Sequence, residues 1–482
     1  MLVFLLLLLG LVLHAQPPAI RQNGVINAAS RIPSALTGAS IARRSRFAIE
    51  GVRLGSAPAG IRILLQHRER TIVLLPLSVR PMRIEAWMPF LTPLGQASLS
   101  IETSQGTSKT FSIEVVRAQP GLFSVNGKGW GPGAIENIRG DGRSAPNRVN
   151  APARPGEMVE MSGTGFGSAR NIEIAIGNRI AAVAGSHPGG KGRADSIRFR
   201  VPRDSPQGCY VPIYVRVAGG LPSNVVTISI GGANSRCEMP ANWPWPIGRG
   251  IKLGIAGISR STMLPGSSQP VVTTDEAFAA FSERGDSTDA NRLLLLPPAG
   301  TCTVYATELY SAGFDDLRSV PAALASLGEA RALDAGPQFT ISGSGGMRTA
   351  RRARVYWAQL GSENPATRRT LPLFLNDSQY RLSVPGGPDI PAFSARLPGI
   401  PAFEWANRDA LAIVDRSRGA TFEWRGVPKD AMVLILAASF DPVSTAGGIV
   451  YCAARADPRH FSIPAEILAL LPATGREAGP VR

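Results

Sequence analysis

The stretch GTGFGSA, Gly163 to Ala169, holds three glycines on alternate positions and is the segment of this chain that most resembles a chemical device. Glycine-rich turns let backbone N–H groups close around a phosphate. A dinucleotide site needs G-x-G-x-x-G between a strand and a helix. Here the third glycine comes one position early. The residues that follow alternate as a strand, Ile172, Ile174 and Ile176 with Glu173, Ala175 and Gly177. The motif is therefore expected to be a turn between strands, with glycine supplying positive φ.

Other chemistry is sparse. Beyond His14, only His67, His187 and His460 remain, far apart in sequence, and no H-E-x-x-H, G-x-S-x-G or S-x-x-K occurs. No catalytic residue, cofactor site or metal site is expected. Asp315-Asp316 and Asp286/Asp289 lack the alternating oxygen ligands of a calcium loop and read as solvated loops. The strings Arg139-Gly140-Asp141 and LPATG, Leu471 to Gly475, read as coincidences; no apolar segment and basic tail follow the second. The four cysteines, Cys209, Cys237, Cys302 and Cys452, form no C-x-x-C pair and so suit two disulfides better than zinc. Three connectivities are possible, and the simplest is Cys209–Cys237 with Cys302–Cys452. Two aromatics, Trp405 and Trp424, are candidates for stacking on sugars, with burial in a sandwich core as the competing expectation.

The whole chain sets the context for these residues. It has 482 residues, 52 of them glycine and 40 proline, a mix that favours many short strands. The formal net charge is +16, carried almost wholly by scattered arginine, with short clusters at Arg43-Arg44-Arg46 and Arg348-Arg351-Arg352-Arg354. A solvated basic surface is the expected reading, and no nucleic-acid partner is expected. The apolar run from Leu2 to Leu13 falls short of the about twenty residues that cross a bilayer. Followed by Ala15-Gln16-Pro17-Pro18, it reads as a signal peptide over residues 1–15, although no basic residue precedes it. No later segment is expected to span a membrane. The mature protein is expected to be secreted or to lie in the cell envelope.

Internal similarity explains the glycine motif. GVRLGSA, Gly51 to Ala57, matches GTGFGSA at an offset of 112, and IEAWMPFLTPLG from Ile84 matches IRFRVPRDSPQG from Ile197 at an offset of 113. Two blocks in the same order point to a tandem duplication. Within the second unit Ile197, Phe199 and Val201 alternate with Ser196, Arg198 and Arg200, Pro202 ends the strand, and CYVPIYVRV and VVTISI supply two more. PGEMVEMSGTGFGS resembles the start of an IPT/TIG domain, an immunoglobulin-like fold, and IRFRVP…PQGCYVPIYVRVAGGLPSNVVTISI resembles its end. INAASRIP and AQPGLFSVNGKGWGPGAIEN resemble framing segments of such repeats in exported proteins of soil bacteria. The first copy departs in lacking PGE and the middle glycine. IPT/TIG domains of intracellular transcription factors bind DNA, a role the signal peptide argues against here.

The expected architecture is all-β: sandwich 1 at 22–117, sandwich 2 at 118–232, a Pro/Trp linker NWPWPIG within 233–250, and a larger β-rich domain at 251–475. In that last domain IKLGIAGI, TCTVYAT, RVYWAQL, AFSARL, MVLILAAS and GIVYCAA read as strands. Helices are expected after a capping box, Thr273-x-x-Glu276, and from Pro321. The segments LDAGPQFTISGSGG, YRLSVPGGPDIPAFSARL and FSIPAEILALLPATG resemble a module that accompanies these repeats and implies no activity. The expected role is a non-catalytic structural or adhesive protein that meets an extracellular protein or polysaccharide through loops on rigid sandwiches. The alternatives are a carbohydrate-binding protein using exposed aromatics and arginines, and an extracellular hydrolase.

Overall fold

The computed structural model describes residues 16–167, 171–190, 193–217, 219–232, 236–237, 252–263, 271–284, 297–308, 330–352, 355–364, 371–376, 379–400, 402–441 and 443–473. The expected signal segment, the linker tryptophans Trp243 and Trp245, the helix from Pro321, and Asp286, Asp289, Asp315 and Asp316 lie outside them. Within them the chain is all-β, and helix is confined to short turns such as Ala465–Leu468.

Two tandem immunoglobulin-like sandwiches come first, and their registers carry the duplication into three dimensions. In the first, Arg46–Val52 pairs with Arg83–Trp87, placing Ile49 opposite Ile84 and Phe47 opposite Ala86. In the second, Met158–Thr164 pairs with Asp195–Arg200, placing Met161 opposite Ile197 and Val159 opposite Phe199. These partners are the offset-112 and offset-113 equivalents of each other. A large side chain faces a small one in each copy, which fills the same inter-sheet space from opposite strands. All eight of these side chains are buried, while Arg198 and Arg200 between them point to solvent.

The described residues of 251–475 contribute to two large hydrophobic cores. One belongs to an eight-stranded antiparallel sheet whose main path runs Lys252–Met263, Val272–Arg284, Tyr356–Glu363, Gly346–Arg352, Gln338–Gly343, Tyr380–Val384, Phe393–Leu397. The helix expected behind Thr273 and Glu276 is absent: AFAAF lies inside the strand Val272–Arg284, paired on both sides. A capping box offers one or two local hydrogen bonds, whereas this strand makes two ladders and buries Ala277, Ala279 and Phe281 on one face. Buried Asp275 clips a loop over the same face. It takes two hydrogen bonds from Arg260 (2.7 and 2.9 Å) and accepts the N–H groups of Phe374 (2.7 Å) and Leu375 (2.8 Å).

The other core joins two three-stranded sheets to the second sandwich. Thr301–Glu308, Ala446–Arg455 and Met432–Phe440 form one sheet; Glu404–Trp405, Ala420–Arg425 and His460–Ile463 form the other. Ala175, Tyr214 and Val225 of the second sandwich pack into this core. Cys302 stands directly opposite Cys452, and the two form a disulfide, as do Cys209 and Cys237.

Candidate functional site

The three glycines of GTGFGSA line the joint between the sandwiches. A Cβ on Gly163 would come within 2.5 Å of the Gly121 carbonyl oxygen, one on Gly165 within 2.3 Å of Gln119 O, and one on Gly167 within 2.7 Å of Arg117 O. Gly165 and Gly167 have φ of +81° and +65°. The Gln119 N–H donates to Gly165 O (2.9 Å), and the Arg46 N–H donates to Thr164 Oγ1 (2.9 Å), a bond that ties the first sandwich to the turn. The loop does hold an acid, the buried carboxyl group of Asp195, which accepts N–H groups of Gly189 (2.7 Å) and Phe166 (3.5 Å). Burial pushes this carboxyl up, against the pull of the N–H groups of Gly189, Phe166 and Gly165. Ser168 and Ala169 lie outside the described residues.

The histidines stay apart. His67 Nε2 bonds the Leu94 carbonyl (3.1 Å), His460 Nδ1 bonds that of Pro458 (2.9 Å), and His187 ends the strand Arg179–His187. Among the described residues no group of three His, Cys, Asp or Glu could hold a metal ion. Arg139-Gly140-Asp141 occupies an exposed turn of a hairpin, where the Arg139 N–H donates to Arg143 O.

The aromatic pair put forward from sequence forms no platform. Trp424 is 3% exposed and its indole N–H donates to Ala456 O (3.1 Å), which makes it a core residue. Trp405, opposite it in register, is half-buried, stacks on Phe422 (ring centroids 5.5 Å apart) and donates to Asn407 Oδ1. Trp424 packs into the core and Trp405, its register partner, is held against Phe422 and Asn407, so the pair offers no open flat ring to a sugar chain.

A different tryptophan does. Trp357, in Tyr356–Glu363, is 44% exposed at its register position between Phe278 and Arg351. Tyr356 and Leu360 of the same strand point into the core, so alternation puts Trp357 and Gln359 together on the opposite face. The ladder extends that face. Arg351 is opposite Gln338, Thr340 is opposite Ser383, and Arg381, two residues from Ser383, is opposite Arg396. The inward face of these strands holds Phe339, Ile341, Ala350, Leu382 and Val384, all buried, whereas Gln338, Arg351, Gln359, Arg381 and Arg396 are exposed. The result is an exposed sheet surface about four strand spacings wide, ~19 Å, with the ring of Trp357 and the thioether of Met347, opposite Ser342, among amides, hydroxyls and guanidiniums. RVYWAQL reads as a strand in sequence, and its alternation already segregates Trp357 with Gln359. Which of the two faces stays uncovered is decided only by tertiary packing.

No family model matches the chain, and comparison with curated proteins gives no match. Among solved structures, SGBP-B of a Bacteroides ovatus mixed-linkage glucan utilization locus, in complex with a heptasaccharide, is similar at 14% identity and TM-score 0.22 over 40% of this chain and 44% of that one. The chain thus spans under half the length of that protein. SGBP-B from a Bacteroides uniformis xyloglucan locus is similar at 12% identity and TM-score 0.19, over 79% of this chain and 98% of that one. A tetra-tandem repeat of a large adhesion protein gives 9% identity and TM-score 0.15 over 92% and 90%. At these scores no argument about ligand or role rests on the likeness.

Proposed function

We infer that this is a non-catalytic, exported protein of IPT/TIG-like sandwiches that binds polysaccharide on the open face of its eight-stranded sheet. The carrying observation is Trp357, an exposed ring on a rigid sheet face whose other exposed side chains, Met347 apart, are mostly polar. An aromatic face covers the apolar C–H surface of a sugar ring, and flanking amides, hydroxyls and guanidiniums complement its hydroxyl groups. A shallow platform admits a polymer anywhere along its length, where a closed pocket admits only an end. A ladder-held surface is pre-organised, so little ordering opposes binding. Two disulfides suit an oxidising, extracytoplasmic compartment.

Affinity electrophoresis of the full chain through gels containing soluble polysaccharides tests this. Trp357→Ala is expected to abolish retardation by the retained polymer and Trp405→Ala to leave it unchanged. Retardation that survives Trp357→Ala overturns the assignment. An adhesive role toward a protein partner is favoured by one other feature, the loop tip where Phe90 and Leu91 stand exposed side by side. Binding of a protein partner that is lost in Leu91→Asp and kept in Trp357→Ala would select that role.

A further inference from the structure

On the reading that this sheet face binds polysaccharide, we propose that its ligand is acidic, a uronate-bearing polymer whose carboxylates lie over Arg381 and Arg396. The case comes from how this chain treats arginine elsewhere in its sheets. Arg62 faces Glu102, Arg83 faces Glu50, Arg198 faces Glu160, Arg216 faces Glu173, Arg260 faces Asp275 and Arg331 faces Glu283. Each of these register pairs is closed as an ion pair. Opposite charges across a ladder stabilise it, and like charges directly opposite destabilise it.

Arg425 also stands opposite an acid, Glu404, although no ion pair closes there, whereas Arg381 and Arg396 stand opposite each other. They are Cα partners on neighbouring strands, both exposed, and among the described residues neither has a carboxylate partner or a side-chain hydrogen bond. The other arginine pair in register, Arg80 and Arg83, differs because Glu50 and Glu85 both neutralise Arg83. Arg351, beside Trp357 on the same face, also has no ion-pair partner among the described residues, although its neighbour in sequence, Arg352, is paired with Asp334. Glu276 lies on the strand Val272–Arg284, four strands from Arg381. The sheet thus carries a ring platform at one side and two uncompensated guanidiniums at the other, with Gln338, Thr340 and Ser383 between them. Guanidinium forks match carboxylates in geometry, and an anion laid across the pair removes the repulsion between them.

Uronate polymers separate charge from backbone, because esterification removes the charge and keeps the sugar chain. The full chain is assayed by affinity electrophoresis and titration calorimetry against polygalacturonate, alginate and hyaluronate, each beside its methyl ester, at low and moderate salt. At least one free acid is expected to bind about tenfold or more tightly than its ester. Arg381→Gln with Arg396→Gln is expected to bring the acid down to the ester's affinity. Trp357→Ala is expected to weaken both. A control pair, Arg68→Gln with Arg70→Gln, removes two exposed charges from the first sandwich and is expected to change nothing; an equal loss there means diffuse attraction by the net charge and overturns the proposal. Equal binding of acid and ester, lost only with Trp357, overturns the acidic ligand and keeps the sheet-face reading. Binding of no polymer, or binding indifferent to Trp357, overturns both.

Discussion

At the scale of single residues, burial decides roles that residue type leaves open. Trp405 and Trp424 are adjacent in space and identical in chemistry to Trp357, yet one is half-buried and the other fully enclosed. Asp275 shows the same logic for charge. Its carboxylate is fully buried and satisfied by Arg260 and two backbone N–H groups, so it pins the 371–376 segment over the core. Asp275→Ala leaves both N–H groups without their acceptor and Arg260 with only the Leu375 carbonyl, and breaking a buried pair of this kind costs about 3–5 kcal/mol. The urea midpoint of the variant is expected to fall accordingly. A change below about 1 kcal/mol would mean that the pair is held in water-like surroundings. Nothing in the local sequence around Asp275 announced this role, since the backbone N–H groups it accepts come from a loop 99 and 100 residues away.

At the scale of elements, strands were legible where alternation is strong and both flanks are punctuated. Ile197-x-Phe199-x-Val201 before Pro202 is such a case, and it forms Asp195–Arg200 as expected. Thr273-x-x-Glu276 was misleading because a capping box is a three-residue signal, while the strand it sits in is fixed by partners elsewhere in the chain. The disulfide between Cys302 and Cys452 closes a separation of 150 residues and joins the central strand of its sheet to a neighbour. Cys302→Ser with Cys452→Ser is expected to lower stability by about 3–5 kcal/mol, read as a shift in the denaturant midpoint. The sheet's tyrosine adds a pH dependence. Burial raises the Tyr451 phenol to about 12, and burial beside Glu466 raises Tyr214 further in a separate cluster. A group whose pKa is raised by folding holds its proton more tightly in the folded state, so its contribution is intact below the unfolded phenol value, about 10, and is lost as pH climbs through the folded one. Urea midpoints are therefore expected to be insensitive to Tyr451 up to about pH 9 and to fall from about pH 10 to 12. Tyr451→Phe is expected to flatten that fall. An identical alkaline slope in the Phe variant would show that the phenol stays exposed.

At the scale of the whole molecule, the same glycine motif that looks like a phosphate cradle sets how the bodies are joined. The first sandwich meets the second through the Arg46 N–H on Thr164 Oγ1 and Asn27 Nδ2 on Gln119 O (3.3 Å), and Arg46 lies over the Phe123 ring at 5.8 Å. It also reaches the last module directly. Asn23 Nδ2 donates to Ser444 O (2.8 Å), and Ile32, Leu36 and Ala39 pack on Ala446. The second sandwich reaches that module through Trp130, edge-on to Tyr305 at 5.5 Å. Three bodies closed on one another in this way move as one unit only if each joint is intact, which makes the glycine turn testable as a joint. Gly165→Val places a branched side chain at φ +81° against Gln119 O, where backbone strain and overlap together amount to about 2–4 kcal/mol. Calorimetry of this variant is expected to show residues 19–116 melting ahead of the rest, with new proteolytic cleavage near 117–121. Polysaccharide binding through Trp357 is expected to persist, because the eight-stranded sheet has its own core of Phe339, Ile341, Tyr356 and Leu382. A single cooperative transition at the original temperature would show that the joint yields without consequence, and that the turn's glycines serve only the hairpin they close. Loss of binding together with the early transition would tie the platform to the sandwiches' packing, a coupling that none of its own contacts requires.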